Sequence, residues 1–177
     1  NYPILSEEGK HIDFSERKDW KNYWIVDPLD GTKEFVKRNG EFTTNIALME
    51  NDSALAGVIY VPVKKIMYFG IVGIGAFKLI WDNNEMDSIQ ELIDKGQKLP
   101  IHNGKDRPYT VVGSRSHMST ETEDYIETLK KENGEIEIVS MGSSLKICLV
   151  AEGSADVRSE EHTSELQSQF RISYAVF

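Results

Sequence analysis

The sequence is poor in several features that would otherwise define it. A single cysteine, Cys148, stands among its 177 residues. No disulfide closes within the chain, and the apolar flanks Ile147, Leu149 and Val150 mark the thiol as a buried core group of a protein from a reducing compartment. No apolar run approaches the ~18 residues of a membrane-spanning helix, and the longest candidate, Met67 to Trp81, is broken by glycines and Lys78. The first ten residues lack the basic and apolar regions of a signal peptide, and a chain opening on Asn1 instead of Met is expected to start within a longer protein. Positive charge is also scarce: 20 Lys+Arg face 29 Asp+Glu, a net charge of −9. That removes the basic footprint of a nucleic-acid polymer or anionic-membrane binder. A phosphorylated ligand must then be attracted locally or through cations.

Several catalytic signatures are absent as well. There is no P-loop, no Gly-x-Ser-x-Gly elbow and no Cys/His zinc spacing. Gly70, Gly73 and Gly75 have the wrong spacing for a dinucleotide fingerprint. The segment from Asp82 starts like a calcium loop but has Asp87 where the glycine belongs and Ile93 at the twelfth position.

What remains is an ordinary globular composition, 40% hydrophobic and 28% charged, in a chain long enough for one domain. Tyr23 to Val26 reads as a strand stopped by Asp27-Pro28, because proline cannot donate to a ladder. Strands follow at Thr44–Met49, Ala54–Val61, Lys65–Ile71 and Ala76–Trp81, an antiparallel meander punctuated by Asn51-Asp52, Pro62 and Gly73/Gly75. Asp87–Lys95 reads as a helix closed by Gly96, and Tyr109–Val112 as a strand. Thr122, Tyr125, Ile126 and Leu129 fall at i, i+3, i+4 and i+7 of an amphipathic helix that starts at Ser119/Thr120 and ends near Asn133-Gly134. Ile136–Val139 is a strand. Ser143–Glu152 is a helix capped by Ser143 and apolar around most of its circumference, hence buried. Strands and helices in mixed order place the chain in a layered α/β or α+β class.

The densest chemistry lies at Asp27-Pro28-Leu29-Asp30-Gly31-Thr32, after a strand and before a short helix starting near Lys33. Asp27 and Asp30 offer carboxylate oxygens to a hard cation, and Pro28 orients the turn so that the Leu29 carbonyl joins them. Gly31 allows close backbone approach, and the Gly31 and Thr32 amides at a helix start suit a phosphate. Taken alone, the pattern also fits an ordinary turn. Glu7, in Ser6-Glu7-Glu8-Gly9, lies 20 residues before Asp27 behind another short apolar run. If the two strand ends are neighbours, three carboxylates crowd together and repel unless a cation joins them. An all-oxygen set suits Mg²⁺ or Mn²⁺ rather than Zn²⁺.

PILSEEG (Pro3 to Gly9) and WIVDPLDGTKEF (Trp24 to Phe35) resemble the metal-binding motifs of the inositol monophosphatase superfamily. FVKRNGEFTTNIAL, VVGSRSHMSTET and GSSLKICLVAEGSADV make residues 1 to about 157 most similar to its bacterial 3′(2′),5′-bisphosphate nucleotidases. The resemblance implies a fragment of an αβαβα sandwich and a cytoplasmic enzyme, at most peripheral to the inner face of the membrane. Its activity would be magnesium-dependent, lithium-sensitive hydrolysis of the 3′-phosphate of adenosine 3′,5′-bisphosphate to AMP, with two or more Mg²⁺ ions and Mn²⁺ as a substitute. Glu7, Asp27, the Leu29 carbonyl and Asp30 would be metal ligands, and Glu7 and Thr32 would position the attacking water. Gly31 and Thr32 would hold the scissile phosphate, Ser143 and Lys146 the second phosphate, and His117 would lie near the adenine. Plainer readings compete: Ser143 as a helix cap, Lys146 as a surface lysine, His117 as a loop residue.

The sequence also departs from that family. The N-terminal helices and an aspartate near the second metal are missing, as are the later phosphate-binding arginine and Trp-Asp pair, and Asp156 does not replace that aspartate. From Arg158 the polar run Arg-Ser-Glu-Glu-His-Thr-Ser-Glu-Leu-Gln-Ser resembles a translated sequencing-library adapter, so residues 158–177 are expected to be a non-native tail on a partial domain, 1–157. The chain as written is expected to turn over little substrate. Two other readings stay open: an inositol or other sugar monophosphatase, and a non-catalytic remnant that binds metal or nucleotide.

Overall fold

The computed structural model describes residues 1–82, 85–103, 106–113 and 120–159. Strands β1 (Ile4–Ser6), β2 (Asn22–Asp30), β3 (Thr43–Glu50), β4 (Ser53–Val61), β5 (Ile66–Ile71), β6 (Gly75–Ile80) and β7 (Gln97–Lys98) form one sheet in sequence order. β1 runs parallel to β2, and every other pair is antiparallel, which is the expected meander. Between β1 and β2 lies a short helix, α1 (Phe14–Arg17), and α2 (Thr32–Lys37) links β2 to β3. Helix α3 (Ile89–Lys95) precedes β7.

A second, all-parallel sheet has the order β10 (Val157–Arg158), β8 (Tyr109–Gly113), β9 (Ile136–Ser140). Helices α4 (Thr120–Asn133) and α5 (Leu145–Ala151) complete the described chain.

The layers follow from which side chains each helix buries. In β4 and β5 successive residues point to opposite faces. On one face Ile59, Val61 and Tyr68 pack with Leu145 and Cys148 of α5. On the other, Phe69, Phe77 and Leu79 pack with Leu92 and Ile93 of α3, the two phenylalanine rings stacked 5.2 Å apart. Helix α5 also contacts β8 and β10, while Ile126 and Leu129 of α4 pack on Val111 of β8. The order is therefore α3, large sheet, α5, small sheet, α4. Sandwiched in this way, α5 has no exposed residue, and Cys148 is fully buried, as its apolar neighbours required.

Five local expectations need correction. Strand β2 does not stop at Val26: its pairing with β3 slips between Asp27 and Asp30, and this bulge accommodates Pro28, whose missing N–H then breaks no regular ladder. Helix α3 starts at Ile89, not Asp87, because Ser88 is extended and its hydroxyl accepts a hydrogen bond from the Glu91 amide at 3.1 Å. Tyr125 of α4 is 47% exposed, so the buried stripe of that helix is narrower than its periodicity promised. Helix α5 begins at Leu145 with Ser144 at its cap position, because Ser143 takes a positive φ of 51° that no helix allows. Finally, the tail expected from Arg158 begins inside the fold: Arg158 pairs with Val112, and the Ser159 amide donates to the Val112 carbonyl at 2.9 Å. Residues 160–177 and the expected helix start at Ser119 lie outside the described residues.

The far end of α5 is closed by a buried ionic cluster. Glu152 accepts hydrogen bonds from Tyr68 at 2.9 Å and Ser154 at 2.8 Å, and pairs with Lys78. Burial alone pushes the Glu152 carboxyl up, but the donors Lys78, Ser154 and Tyr68 prevail and hold it below the usual carboxylate range. Gly153 follows with φ +81°, and a Cβ there would lie 2.1 Å from the His102 carbonyl oxygen. Gly134, which ends α4, has nearly the same φ of +80° but nothing within 4 Å of a built Cβ. Gly134→Ala should therefore cost only the left-handed backbone penalty, about 1 kcal/mol. Gly153→Ala adds a backbone collision and should cost about 3 kcal/mol or more. Urea unfolding of the two variants checks the difference.

Candidate active site

Parallel pairing of β1 with β2 places Ser6 opposite Val26, and the Glu7 amide donates to the Val26 carbonyl at 3.0 Å. Glu7 thus emerges beside Asp27, so the two acidic segments are neighbours. The bulge that ends β2 turns Asp27, Leu29 and Asp30 toward the same space. Gly31 then turns the chain into α2 with φ 88°, and a Cβ there would sit 3.0 Å from the Ser143 Cβ. Only glycine lets these two turns approach so closely.

Glu7, Asp27, Leu29, Asp30, Gly31, Thr32, Ser143 and Lys146 all line one cavity of about 300 Å³. Lys33, Glu34, Ser144, Ile147 and Arg158 complete its wall, so four carboxylates face three cationic side chains. Lys146 is half-buried there and is not a surface lysine. His117 lies outside the described residues. Asp156 faces elsewhere: it pairs with Arg107 and accepts from the Thr110 amide at 2.7 Å, which makes it a structural latch.

The two aspartates of the turn are held differently. Asp30, 6% exposed, accepts four hydrogen bonds on Oδ2. They come from Ser144 Oγ at 2.5 Å, Ser144 N at 2.7 Å, Thr43 Oγ1 at 3.3 Å and Asn45 Nδ2 at 3.3 Å. Asp27, 2% exposed, accepts only the Leu29 amide on Oδ1 at 3.1 Å, and its buried Oδ2 has no hydrogen-bond partner. Burial pushes the Asp27 carboxyl up to about 7, helped by the negative charges of Asp30 and Glu7, while the Leu29 amide opposes the shift. Among the described residues no group of three or more His, Cys, Asp and Glu side chains forms a metal cage by itself. Glu7, Asp27 and Asp30 line one cavity without converging into such a group.

Sequence reasoning missed the polar frame behind the turn: Thr43, Asn45, Ser144, Glu34 and Glu41. Glu34 is buried against Gly142, where a Cβ would lie 2.3 Å from Glu34 Cγ, and the Gly142 amide donates to Glu41 at 3.0 Å. One signal was present. In Thr43-Thr44-Asn45-Ile46-Ala47-Leu48-Met49 the inward positions begin polar and end apolar, which marks the site end of the strand.

The raised Asp27 pKa carries a stability consequence. Between the ordinary carboxyl value of 3.8 and about 7 the folded state holds a proton that the unfolded chain has lost, so the Asp27 contribution to stability falls as pH rises through that window. In chelator-containing buffer, the melting temperature of the parent should drop relative to Asp27→Asn from about pH 4 to about pH 7. Thermal unfolding followed by circular dichroism at several pH values measures the difference, and parallel curves would contradict it.

The chain and its fold resemble known proteins. A model of the inositol monophosphatase family matches residues 1–166. The 3′(2′),5′-bisphosphate nucleotidase CysQ of Salmonella typhimurium is 44% identical over 155 residues, 88% of this chain and 55% of that protein. CysQ of Escherichia coli K12 is 43% identical over the same span. The chain thus covers about half the length of these relatives. Among solved structures, CysQ from Bacteroides thetaiotaomicron, described as a bacterial member of the inositol monophosphatase family, superposes with a TM-score of 0.86 at 49% identity, covering 99% of this chain and 65% of that one. Inositol monophosphatase II from Staphylococcus aureus, at 21% identity, shares the fold with a TM-score of 0.69, covering 99% of this chain and 61% of that one. The match over residues 1–166 and the identity to the CysQ proteins establish that the chain belongs to the inositol monophosphatase family.

Proposed function

We propose that this chain carries the phosphate-hydrolysing half-site of a 3′(2′),5′-bisphosphate nucleotidase, acting on adenosine 3′,5′-bisphosphate to give AMP and phosphate. The observation that carries the reading is the buried, unpartnered Asp27 Oδ2 beside Glu7 and Asp30 in a cavity that also holds Ser143 and Lys146. An acceptor left bare among like charges fits a hard divalent cation, and the donor set is all oxygen. Glu7, Asp27, the Leu29 carbonyl and Asp30 would hold Mg²⁺, or Mn²⁺ in its place. When bound, the cation supplies charge neutralisation on the phosphate and lowers the pKa of water.

The chain's own groups do the rest. Glu7 and Thr32 orient the attacking water, with the Glu7 carboxylate accepting its proton. The Gly31 and Thr32 amides hold the phosphate oxygens as the bond from phosphorus to the 3′-oxygen breaks, and that oxygen leaves as a hydroxyl with the proton Glu7 had accepted. Lys146 and Ser143 bind the second phosphate, which distinguishes a bisphosphate from a sugar monophosphate. With three cationic side chains facing four carboxylates, phosphate entry depends on divalent cations rather than on steering by the protein's overall charge.

The chain covers 55% of the Salmonella CysQ protein, so the test joins it to the remaining segments of that protein. The chimera should release phosphate from adenosine 3′,5′-bisphosphate only with Mg²⁺ or Mn²⁺, faster than from inositol 1-phosphate. Asp27→Asn or Thr32→Ala in it should lower the rate by about a hundredfold or more. Preference for inositol 1-phosphate would instead establish a sugar monophosphatase, and nucleotide binding without turnover would establish a non-catalytic binding module.

A further inference from the structure

Asn45 does not suit its place in the fold. Strand β3 alternates strictly, with Thr43, Asn45, Ala47 and Met49 on the buried face, and Asn45, two residues from its start, is 1% exposed. A primary amide is costly there unless every polar atom is satisfied. Asn45 Nδ2 donates to Asp30 Oδ2 at 3.3 Å and to Ser144 Oγ at 3.0 Å, but Oδ1 has no hydrogen-bond partner. The orientation is forced: the carboxylate can only accept, so the nitrogen must face it and the oxygen must turn away. A leucine of similar shape would remove the unsatisfied atom and still leave three donors on Asp30 Oδ2, so apolar packing does not call for the amide.

Its partners supply a reason. Asp30 ends β2 and Ser144 precedes α5, 114 residues later in the chain, and the two walls of the cavity grow from them. Ser144 Oγ donates to Asp30 Oδ2, so carboxylate, hydroxyl and amide form a closed triangle. By donating to Ser144 Oγ, the amide occupies the acceptor side of the hydroxyl and leaves its proton directed at Asp30. By donating to Asp30 Oδ2, it sets the plane of that carboxylate.

We propose that Asn45 is a positioning residue for this site: its amide holds the Asp30 carboxylate and the Ser144 hydroxyl in a single orientation and so fixes the spacing between the Asp27–Thr32 turn and the Gly142–Ser144 turn. It touches no reacting group and acts through Asp30 and Ser144. The proposal rests on the cation reading above for only one of its two readouts.

The experiment compares the 177-residue protein with its Asn45→Leu variant. Amide hydrogen exchange at residue 144 should accelerate tenfold or more while exchange at Ala47 and Val61 stays at parental rates, and the melting temperature should be unchanged or higher. Mn²⁺ affinity measured by calorimetry should fall at least tenfold. Parental exchange at residue 144 overturns the proposal. So does a uniform acceleration of the core amides with a lowered melting temperature, which would make Asn45 a structural residue. If Asn45→Leu does not fold, Ser144→Ala decides by the same readouts: local acceleration with weaker Mn²⁺ binding supports the proposal, and parental behaviour overturns it. A parent protein that binds no Mn²⁺ removes the cation reading and leaves exchange at residue 144 to decide the role of Asn45.

Discussion

The architecture depends on one buried carboxylate oxygen, Oδ2 of Asp30. Four donors converge on it, two from β3 and two from Ser144. These hydrogen bonds are directional, so they fix how the large sheet and the start of α5 sit against each other. Two parts of the cavity wall are placed relative to that junction. Gly31 follows Asp30 and nearly touches Ser143, and Lys146 lies within the first turn of the helix anchored there.

Helix α5 is tied at its other end by a second buried carboxylate, and the contrast is informative. Glu152 has Lys78, Tyr68 and Ser154 as partners, and its carboxyl sits below the usual range. Asp27, at the other end of the same core, has one amide donor and two acidic neighbours, and its carboxyl is pushed up to about 7. One carboxylate is satisfied by the fold. The other is left by the fold with a bare buried oxygen, and strong desolvation beside like charges raises its pKa.

Much of the chain was legible because its signals are local. The alternation in β3 to β6, the glycines and Asx turns between them, and the apolar run around Cys148 follow from side-chain periodicity and backbone preference. Where a local rule competed with a tertiary constraint, the local reading failed. Pro28 reads as a strand terminator, yet a bulge carries β2 on to Asp30. Ser143 reads as a helix cap, yet close approach to Gly31 accompanies a left-handed backbone at Ser143, and the helix starts two residues later.

The sequence by itself determined the layered class, the buried thiol and the candidate ligands Glu7, Asp27, Leu29 and Asp30, because each of these is written in a short stretch of chain whose chemistry is read without knowing its neighbours. Tertiary structure alone decided that the Glu7 segment lies beside Asp27, that Ser144 and Asn45 close around Asp30, and that Lys146 and Arg158 face the same cavity. Those placements depend on strand register and on the seating of α5 between two sheets, and they bring together residues separated by as many as 114 positions, a distance over which no local pattern carries information.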